Sequence, residues 1–280
     1  MNVEDAIAFA SEEIATSESL IDAKYLVSYV LNKNFTWLTT WQDKNISVDE
    51  EIKLKKLVER RKSGEPIAYI TGEKDFWTLT LQTNPSTLIP RPETELLVEK
   101  ALEFLSKKIS NKVLDLGTGT GAIALSIASE RKSDIIFASD FISEAVELAK
   151  INALKNKVQN VTILQSDWFS NIKDSDFDLI ISNPPYVEEN DIHLNQGDLR
   201  FEPNSALTSA DNGFADIKTI IHESKYYLVN GGALMMEHGF EQGEKIRSLL
   251  NTAGYSKIET IKDISNLDRI TIAIYSSSAS

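Results

Sequence analysis

Hydrophobic and polar positions repeat with two different periods along this chain. In the first 72 residues the apolar positions recur every three or four residues, which is the spacing of one face of an α-helix. The pattern predicts helices over residues 3–15 and 19–31, and a third that begins at Ser47 with a capping-box sequence and ends at Gly64. Residues 1–72 are therefore expected to form a helical N-terminal domain.

Short apolar runs alternate with helical patterns from residue 112 onward. These runs predict strands at residues 113–116, 135–139, 161–164, 177–182, 233–237, 255–260 and 270–275. Because strands separated by helices usually pair in parallel, the alternation predicts an α/β fold with a doubly wound, mostly parallel sheet of seven strands. The serine-rich tail, 276–280, is expected to be frayed.

A third pattern separates these two regions. Threonine and leucine alternate within residues 76–81, Asn84 and Pro85 mark a turn, and apolar residues return at 87–89. Together these features predict a β-hairpin that links two domains. The expected division is a helical domain over 1–72, a hairpin linker over 73–90 and the α/β domain over 91–280.

Charge and composition make some classes of protein less compatible with this sequence. The 280 residues have a formal net charge of −13, which disfavours binding through phosphate contacts, so no direct nucleic-acid partner is expected. A basic cluster between Lys53 and Lys62 is expected to be a solvated helix face, with an acidic or RNA-containing partner as the alternative. The chain has no cysteine, no signal pattern and no run of the ~18 apolar residues that span a membrane, so we expect a cytoplasmic protein without a metal site.

A glycine-rich turn follows the first predicted strand of the α/β region. Gly117, Gly119 and Gly121 let the backbone turn sharply and approach a ligand closely. Their spacing, GxGxG, differs from the dinucleotide fingerprint GxGxxG, and no lysine follows as in a Walker phosphate loop. The turn, with Thr118 and Thr120, is therefore a candidate cofactor site, and a tight turn without a ligand is the alternative.

Polar and aromatic residues follow the next two strands. Asp140 comes about 20 residues after the glycines. A carboxylate at this position can accept hydrogen bonds from both hydroxyl groups of a ribose. Asp167 and Trp168 follow the third strand, and a carboxylate beside an aromatic face suits an adenine ring. Core packing is the alternative for Trp168.

The fourth strand ends in a proline motif. Its residues are Asn183, Pro184, Pro185 and Tyr186. Neither proline can donate a hydrogen bond to a neighbouring strand, so pairing must stop there while the chain stays extended. The Asn183 side-chain oxygen and the Pro184 carbonyl offer two acceptors and Tyr186 a stacking face, which suits a planar NH2 group. An ordinary Asn-Pro turn is the alternative for this segment in isolation, but compatible chemistry at four successive strand ends favours a binding site.

The glycine turn and the NPPY motif together resemble class I S-adenosylmethionine-dependent methyltransferases that act on a planar nitrogen. Other segments resemble a narrower family, the peptide chain release factor glutamine methyltransferases. These segments are GEPIAYITG at 64–72, LIPRPETE at 88–95, DWF at 167–169 and RFEP at 200–203. NPPY alone is shared with amino methyltransferases of DNA bases, so these other segments support the narrower family. The resemblance covers nearly the whole chain.

The resemblance implies an enzyme with a Rossmann-like methyltransferase sheet. It would transfer a methyl group from S-adenosylmethionine to the side-chain amide of the glutamine in the Gly-Gly-Gln motif of class I release factors. The implied cofactor-binding residues are Gly117, Thr118, Gly119, Thr120, Gly121, Asp140, Asp167, Trp168 and Asn183. The implied substrate-binding residues are Asn183, Pro184, Pro185 and Tyr186, of which Asn183, Pro184 and Tyr186 would act in catalysis. The helical domain would recognise the protein partner, and a monomer is expected.

Several other functions stay open at this point. An amino methyltransferase of adenine or cytosine would place an extruded base in the same pocket. A glutamine in another translation protein is a further possible substrate. A cofactor-binding module without catalysis is opposed by the acceptor pair at Asn183, and a nicotinamide oxidoreductase is opposed by the glycine spacing.

Overall fold

A computed structural model describes residues 1–106 and 108–276 of the chain. The chain forms two compact units, one of Met1–Glu73 with Asn195–Phe201 and one of Lys74–Leu194 with Glu202–Ser280. The sequence pattern does not predict that 195–201 belongs to the first unit. Of the tail predicted to be frayed, residues 277–280 lie outside the described part. No helix within the described ranges is long and apolar enough to cross a membrane.

The first unit, all of whose residues are described, contains five α-helices. They are α1 (Val3–Ile14), α2 (Ser19–Leu31), α3 (Phe35–Thr40), α4 (Val48–Lys62) and α5 (Ile67–Thr71). The three predicted helices are confirmed, and Ser47 caps α4 in a capping box with Glu50. The sequence pattern misses α3 and α5 because helices of 6 and 5 residues are too short to show a hydrophobic period.

The basic cluster of α4 is mostly exposed, as predicted for a solvated helix face, and two of its residues form ion pairs with other elements of this unit. Arg61 pairs with Asp22 of α2 at 2.7 Å and with Asp198 at 3.1 Å. Lys62 pairs with Glu13 of α1 at 2.7 Å. The pair with Asp198 links the segment 195–201 to the helices of this unit, because its carboxylate lies against a guanidinium whose side chain is only 13% exposed.

The chain enters the second unit through a hairpin. Strands β1 (Glu73–Phe76) and β2 (Leu79–Gln82) form a two-stranded sheet. The predicted turn at Asn84 and Pro85 is present, with the Thr87 N–H donating to the Asn84 carbonyl at 3.4 Å, but it does not join the strands of the hairpin. The predicted return strand at 87–89 is wrong. The hairpin turn lies at Trp77, whose φ of 56° is in the left-handed region that favours glycine, so the sequence contains no signal for it.

A seven-stranded sheet forms the centre of the second unit. The remaining strands among the described residues are β3 (Lys112–Leu116), β4 (Ile135–Asp140), β5 (Val161–Gln165), β6 (Phe177–Ser182), β7 (Val187–Glu188), β8 (Thr208–Ser209), β9 (Leu228–Glu237), β10 (Tyr255–Lys262) and β11 (Asp268–Tyr275). The sheet order is β10-β11-β9-β6-β3-β4-β5, and β7 pairs with β8 separately. Among the described residues of this seven-stranded sheet, β11 pairs antiparallel with β9 and with β10, and the other neighbouring strands pair in parallel. The predicted mostly parallel sheet is confirmed.

Helices pack on both faces of this sheet. They are α6 (Glu95–Leu105), α7 (Ala122–Glu130), α8 (Ser143–Lys155), α10 (Ala215–Ser224) and α11 (Gly243–Thr252), whereas the single turn α9 (Ala210–Gly213) contacts β7 and β8. Successive strand residues point to opposite faces, so Ile181 and Met235 belong to one core while Ile180 and Met236 belong to the other. Because β3, β4, β5 and β6 are parallel, their carboxyl ends meet at one edge, where ligands bind in such sheets.

Candidate active site

The glycine turn connects β3 to α7 at the carboxyl edge of the sheet. Gly117 and Gly119 have φ values of 71° and 55°, in the left-handed region that side chains rarely adopt. The end of β4 fixes the turn through two hydrogen bonds. The Thr118 N–H donates to the Ser139 carbonyl at 2.9 Å, and the Gly119 N–H donates to Asp140 Oδ2 at 2.8 Å.

Asp115 supports the same turn from inside β3. Its Oδ2 accepts hydrogen bonds from the Thr118 hydroxyl at 2.6 Å and from the Ala124 N–H at 3.2 Å. Burial raises the pKa of Asp115 to about 7. Its Oδ1 has no hydrogen-bond partner among the described residues. Asp115 is thus a structural acceptor beneath the turn, a role that the sequence analysis does not assign to it.

Asp140 links the glycine turn to the loop after β4. Its Oδ1 accepts the Ile142 N–H at 2.9 Å, while Oδ2 accepts the Gly119 N–H. Burial raises the pKa of this carboxyl, and the same backbone donors oppose the rise because they stabilise the carboxylate. Each oxygen has further acceptor capacity, so the side chain can hold the loop and still accept a ligand hydroxyl.

A cavity of about 270 Å³ opens in front of these residues, within the second unit. Most of the predicted site residues line it: Gly117, Thr118, Gly119, Thr120, Asp140, Asp167, Trp168, Asn183 and Pro185. Gly121, Pro184 and Tyr186 are not among its lining residues. Gly121 instead precedes α7, where an added Cβ would lie 2.9 Å from Leu125 Cδ1. The structure therefore brings the four predicted strand ends together around one cavity.

Trp168 forms one wall of the cavity. Its indole Nε1 donates to Asp216 Oδ1 at 3.1 Å, and its ring lies 3.7 Å from the position of a Cβ on Gly117. The ring also packs against the core under α10, so it serves both as core and as cavity wall. Asp216 lines the cavity too, and no pattern in the sequence identifies it.

A chain of hydrogen bonds orients the Asn183 amide. Its Nδ2 donates to Thr94 Oγ1 at 3.3 Å, and the Thr94 hydroxyl donates to Glu237 Oε2 at 2.7 Å. The register pairs Ser182 with Met236, so Asn183 and Glu237 come next on neighbouring strands. Asn183 Oδ1 accepts no hydrogen bond from the described part of the chain. The amide therefore keeps its acceptor end available.

Tyr186 is held from both its backbone and its hydroxyl. Its carbonyl accepts a hydrogen bond from Gln242 Nε2 at 3.0 Å, and its hydroxyl lies 3.4 Å from Glu237 Oε1. An added Cβ on Gly213 would lie only 2.2 Å from the same carbonyl oxygen. Burial raises the pKa of Tyr186, so the side chain stays a neutral phenol.

Sequence reasoning missed several polar residues that support the cavity. Arg91 lines it and pairs with Glu202, whose side chain is fully buried. Glu202 Oε1 also accepts the Ile89 N–H at 3.1 Å. Arg91, Thr94 and Glu202 all lie in segments that resemble the family, which is the one signal that could have identified them.

The two histidines near the site differ from each other. His193 lies exposed in the loop after the NPPY motif and pairs with Asp191 at 2.7 Å. His238 is fully buried just after β9, where its ring nitrogens bond to the Gly239 carbonyl and the Thr271 hydroxyl. Neither histidine lines the cavity.

Comparisons with known proteins agree with this fold. Residues 93–201 match the family model described as methyltransferase small domain, and residues 5–72 match the one described as PrmC N-terminal domain. A methyltransferase from Pyrococcus furiosus has a similar fold, with a TM-score of 0.52 at 19% identity over 71% of this chain and 90% of its own. The fold and the site define an S-adenosylmethionine-dependent methyltransferase with a Rossmann-like sheet.

Sequence relatives identify the family. A release factor glutamine methyltransferase of Shewanella oneidensis is 50% identical, over 96% of this chain and 95% of its own length. One of Escherichia coli strain K12 is 46% identical, over 95% of this chain and 96% of its own length. The chain belongs to the release factor glutamine methyltransferase family, which confirms the resemblance seen in its motifs.

S-adenosylmethionine is the methyl donor, and the cavity residues fit it. The backbone at Gly117 and Gly119 is free of side chains, so a ligand can approach it closely. Asp140 offers carboxylate oxygens for ribose hydroxyls, and Trp168 offers an aromatic wall for a base. The cofactor role of each of these residues stays a prediction.

A matched pair of glycine substitutions tests whether the position of Tyr186 matters. Gly213 and Gly231 have similar φ values, 81° and 84°, but only Gly213 has a neighbour that a Cβ would strike. We expect Gly213→Ala to lower kcat on the order of 10- to 100-fold by displacing Tyr186. Gly231→Ala has the same backbone strain and should leave kcat near the wild-type value. Equal rates for both variants would show that the position of Tyr186 does not limit methyl transfer.

Proposed function

We propose that this enzyme methylates the side-chain amide nitrogen of the glutamine in the Gly-Gly-Gln motif of class I peptide chain release factors. Relatives named release factor glutamine methyltransferases, similar over nearly the full chain, support this substrate. The structural observation that supports it most is the arrangement of Asn183. This residue lines the cofactor cavity while Thr94 holds its NH2 end, so that Oδ1 can accept from a substrate NH2 group.

Asn183 and Pro184 have the main roles in the proposed mechanism. S-adenosylmethionine supplies an electrophilic methyl group on a positively charged sulfur. An amide nitrogen is a weak nucleophile, because its lone pair is delocalised into the carbonyl. Asn183 Oδ1 and the Pro184 carbonyl, each accepting one N–H of the substrate, would fix the nitrogen in line and stabilise its developing positive charge. Tyr186 would pack on the plane of the amide.

The proton balance requires no base from the chain. The new N–C bond forms as the bond between that methyl and sulfur breaks, and the nitrogen then releases one proton. Once alkylated, this nitrogen is acidic enough to give the proton to water. Glu237 and His238 are both buried and already hydrogen-bonded, which agrees with water as the acceptor.

We assign recognition of the protein substrate to the helical first unit. A protein substrate needs contact area beyond a small cavity, and the first unit includes the segment Asn195–Phe201 that follows the NPPY motif in the chain. We further propose that the enzyme acts as a monomer in the cytoplasm. The net charge of −13 supports the absence of a direct nucleic-acid partner.

Labelled S-adenosylmethionine tests this function. The purified enzyme is given a release factor, the same factor with Gln→Ala in its Gly-Gly-Gln motif, or duplex DNA. We expect label in the first protein only. Label in DNA but not in the release factor would contradict the proposal, as would equal labelling of the Gln→Ala factor.

A further inference from the structure

The side-chain amide of an asparagine has an acceptor and a donor at nearly equivalent positions. A half-turn about its last bond exchanges Oδ1 and Nδ2 with little change in shape. In the proposed reaction only one orientation works, because Nδ2 would place N–H bonds against the N–H bonds of the substrate. The site therefore needs a device that fixes the direction of the Asn183 amide.

Thr94 can act as this device because a hydroxyl has a single proton. The residue is 4% exposed, in the turn that precedes α6. Its proton is donated to Glu237 Oε2 at 2.7 Å. Towards Asn183, 3.3 Å away, Thr94 Oγ1 then presents only lone pairs. The NH2 end of the amide matches these lone pairs, and the carbonyl end does not.

Glu237 fixes the direction of the Thr94 proton. Its carboxylate is 2% exposed at the end of β9 and has only acceptors when ionised. The charge of Arg269 and the hydrogen bonds from Thr94 and Tyr186 favour the ionised form, whereas burial and the charge of Glu93 raise the pKa to about 7. The carboxylate therefore predominates above neutral pH, and the chain of donors runs from Asn183 through Thr94 to Glu237.

We infer that Thr94 and Glu237 are positioning residues that hold the Asn183 amide with Oδ1 towards the substrate. The inference rests on the proposed function, because it explains how that reaction obtains its acceptor. Neither residue is assigned a contact with the reacting atoms. Thr94 lies 89 positions from Asn183 in the chain and Glu237 lies 143 positions from Thr94, so the relationship is visible only in the fold.

Two substitutions at Thr94 separate the effect of its hydroxyl on kcat from the effect of its shape. Valine removes the hydroxyl at nearly constant volume, and serine keeps it. With release factor as substrate at about pH 8, where the Glu237 carboxylate predominates, we expect Thr94→Val to lower kcat roughly tenfold. Thr94→Ser should stay near the wild-type value, and neither substitution should change the KM for S-adenosylmethionine appreciably.

A double substitution shows whether Thr94 acts through Asn183. If it does, Thr94→Val should have no further effect on kcat in the Asn183→Ala background, because the amide it orients is gone. A residue with a general structural role would lower kcat by the same factor in both backgrounds. An equal reduction of kcat in both backgrounds would overturn the inference. So would a wild-type kcat for Thr94→Val, or a kcat for Thr94→Ser as low as that for Thr94→Val.

A measurement without substrate distinguishes a failure of this inference from a failure of the proposed function. In protein with 15N-labelled asparagine, the side-chain NH2 signal of Asn183 is the one absent from the Asn183→Ala protein. We expect this signal to shift and its hydrogen exchange to speed up in Thr94→Val but not in Thr94→Ser. An unchanged signal in Thr94→Val would contradict the inference even if release factor is methylated. A wild-type enzyme that does not methylate release factor would contradict the function alone.

Discussion

Replacing Asn183 by alanine is expected to lower kcat roughly 100-fold or more, because it removes one of two preorganised acceptors for the substrate amide. The side chain lines the cavity, and Thr94 already holds its NH2 end, so Oδ1 is fixed before substrate arrives. Preorganised acceptors lower the barrier because they need no rearrangement during the reaction. The loss should therefore appear mainly in the rate constant for methyl transfer, which single-turnover experiments measure. The effect on binding of S-adenosylmethionine should be smaller.

Asn190→Ala is the matched control for this experiment. Asn190 lies in the loop after the NPPY motif, is exposed and does not line the cavity. The same change of side chain should leave kcat there close to the wild-type value. A wild-type kcat for Asn183→Ala itself would contradict the assigned mechanism, while leaving the family assignment untouched.

The second large effect is expected at Asp140. Asp140→Asn should weaken binding of S-adenosylmethionine by roughly 10- to 100-fold, as measured by isothermal titration calorimetry. Both carboxylate oxygens accept backbone N–H groups, from Gly119 and Ile142. An asparagine has one acceptor end only, so its NH2 group must face one of these N–H groups and displace the glycine turn. The ribose would also lose a charged acceptor.

Asp176→Asn provides the control for the loss of one negative charge. Asp176 is exposed in the connection before β6 and is not among the residues that line the cavity. Its substitution should leave the affinity for S-adenosylmethionine unchanged. If Asp140→Asn bound the cofactor as tightly as this control, the role of Asp140 in the site would be refuted.

Long periodic elements of the fold could be predicted from the sequence. Helix α2 and strand β6 are found at the predicted bounds. Asn32 ends α2 in a left-handed conformation, and Pro184 and Pro185 end the pairing after β6. Elements that depend on tertiary contacts could not be predicted. Trp77 adopts a left-handed conformation without being glycine, and the Asn195–Phe201 segment joins the first unit through contacts such as the ion pair from Asp198 to Arg61.

The site residues also divide into those that the sequence predicts and those that depend on tertiary contacts. The cavity residues at strand ends were predictable, because parallel strands bring their carboxyl ends to one edge. Glu237 ends an apolar strand and gives no periodic signal, and its importance follows only from the register that places β9 beside β6. Thr94 and Asp216 are single polar residues in helical segments, and their contacts with Asn183 and Trp168 span 89 and 48 residues. Sequence spacing cannot reveal such pairs.

The most direct test of the central claim is to locate the methyl group on the product. A release factor treated with this enzyme and S-adenosylmethionine is digested, and the peptide with the Gly-Gly-Gln motif is fragmented in a mass spectrometer. We expect the added mass of one methyl group on the side-chain amide of that glutamine, strongly reduced with the Asn183→Ala enzyme. A methyl group on any other residue would contradict the account. A peptide that stays unmodified after prolonged incubation with excess S-adenosylmethionine would also contradict it.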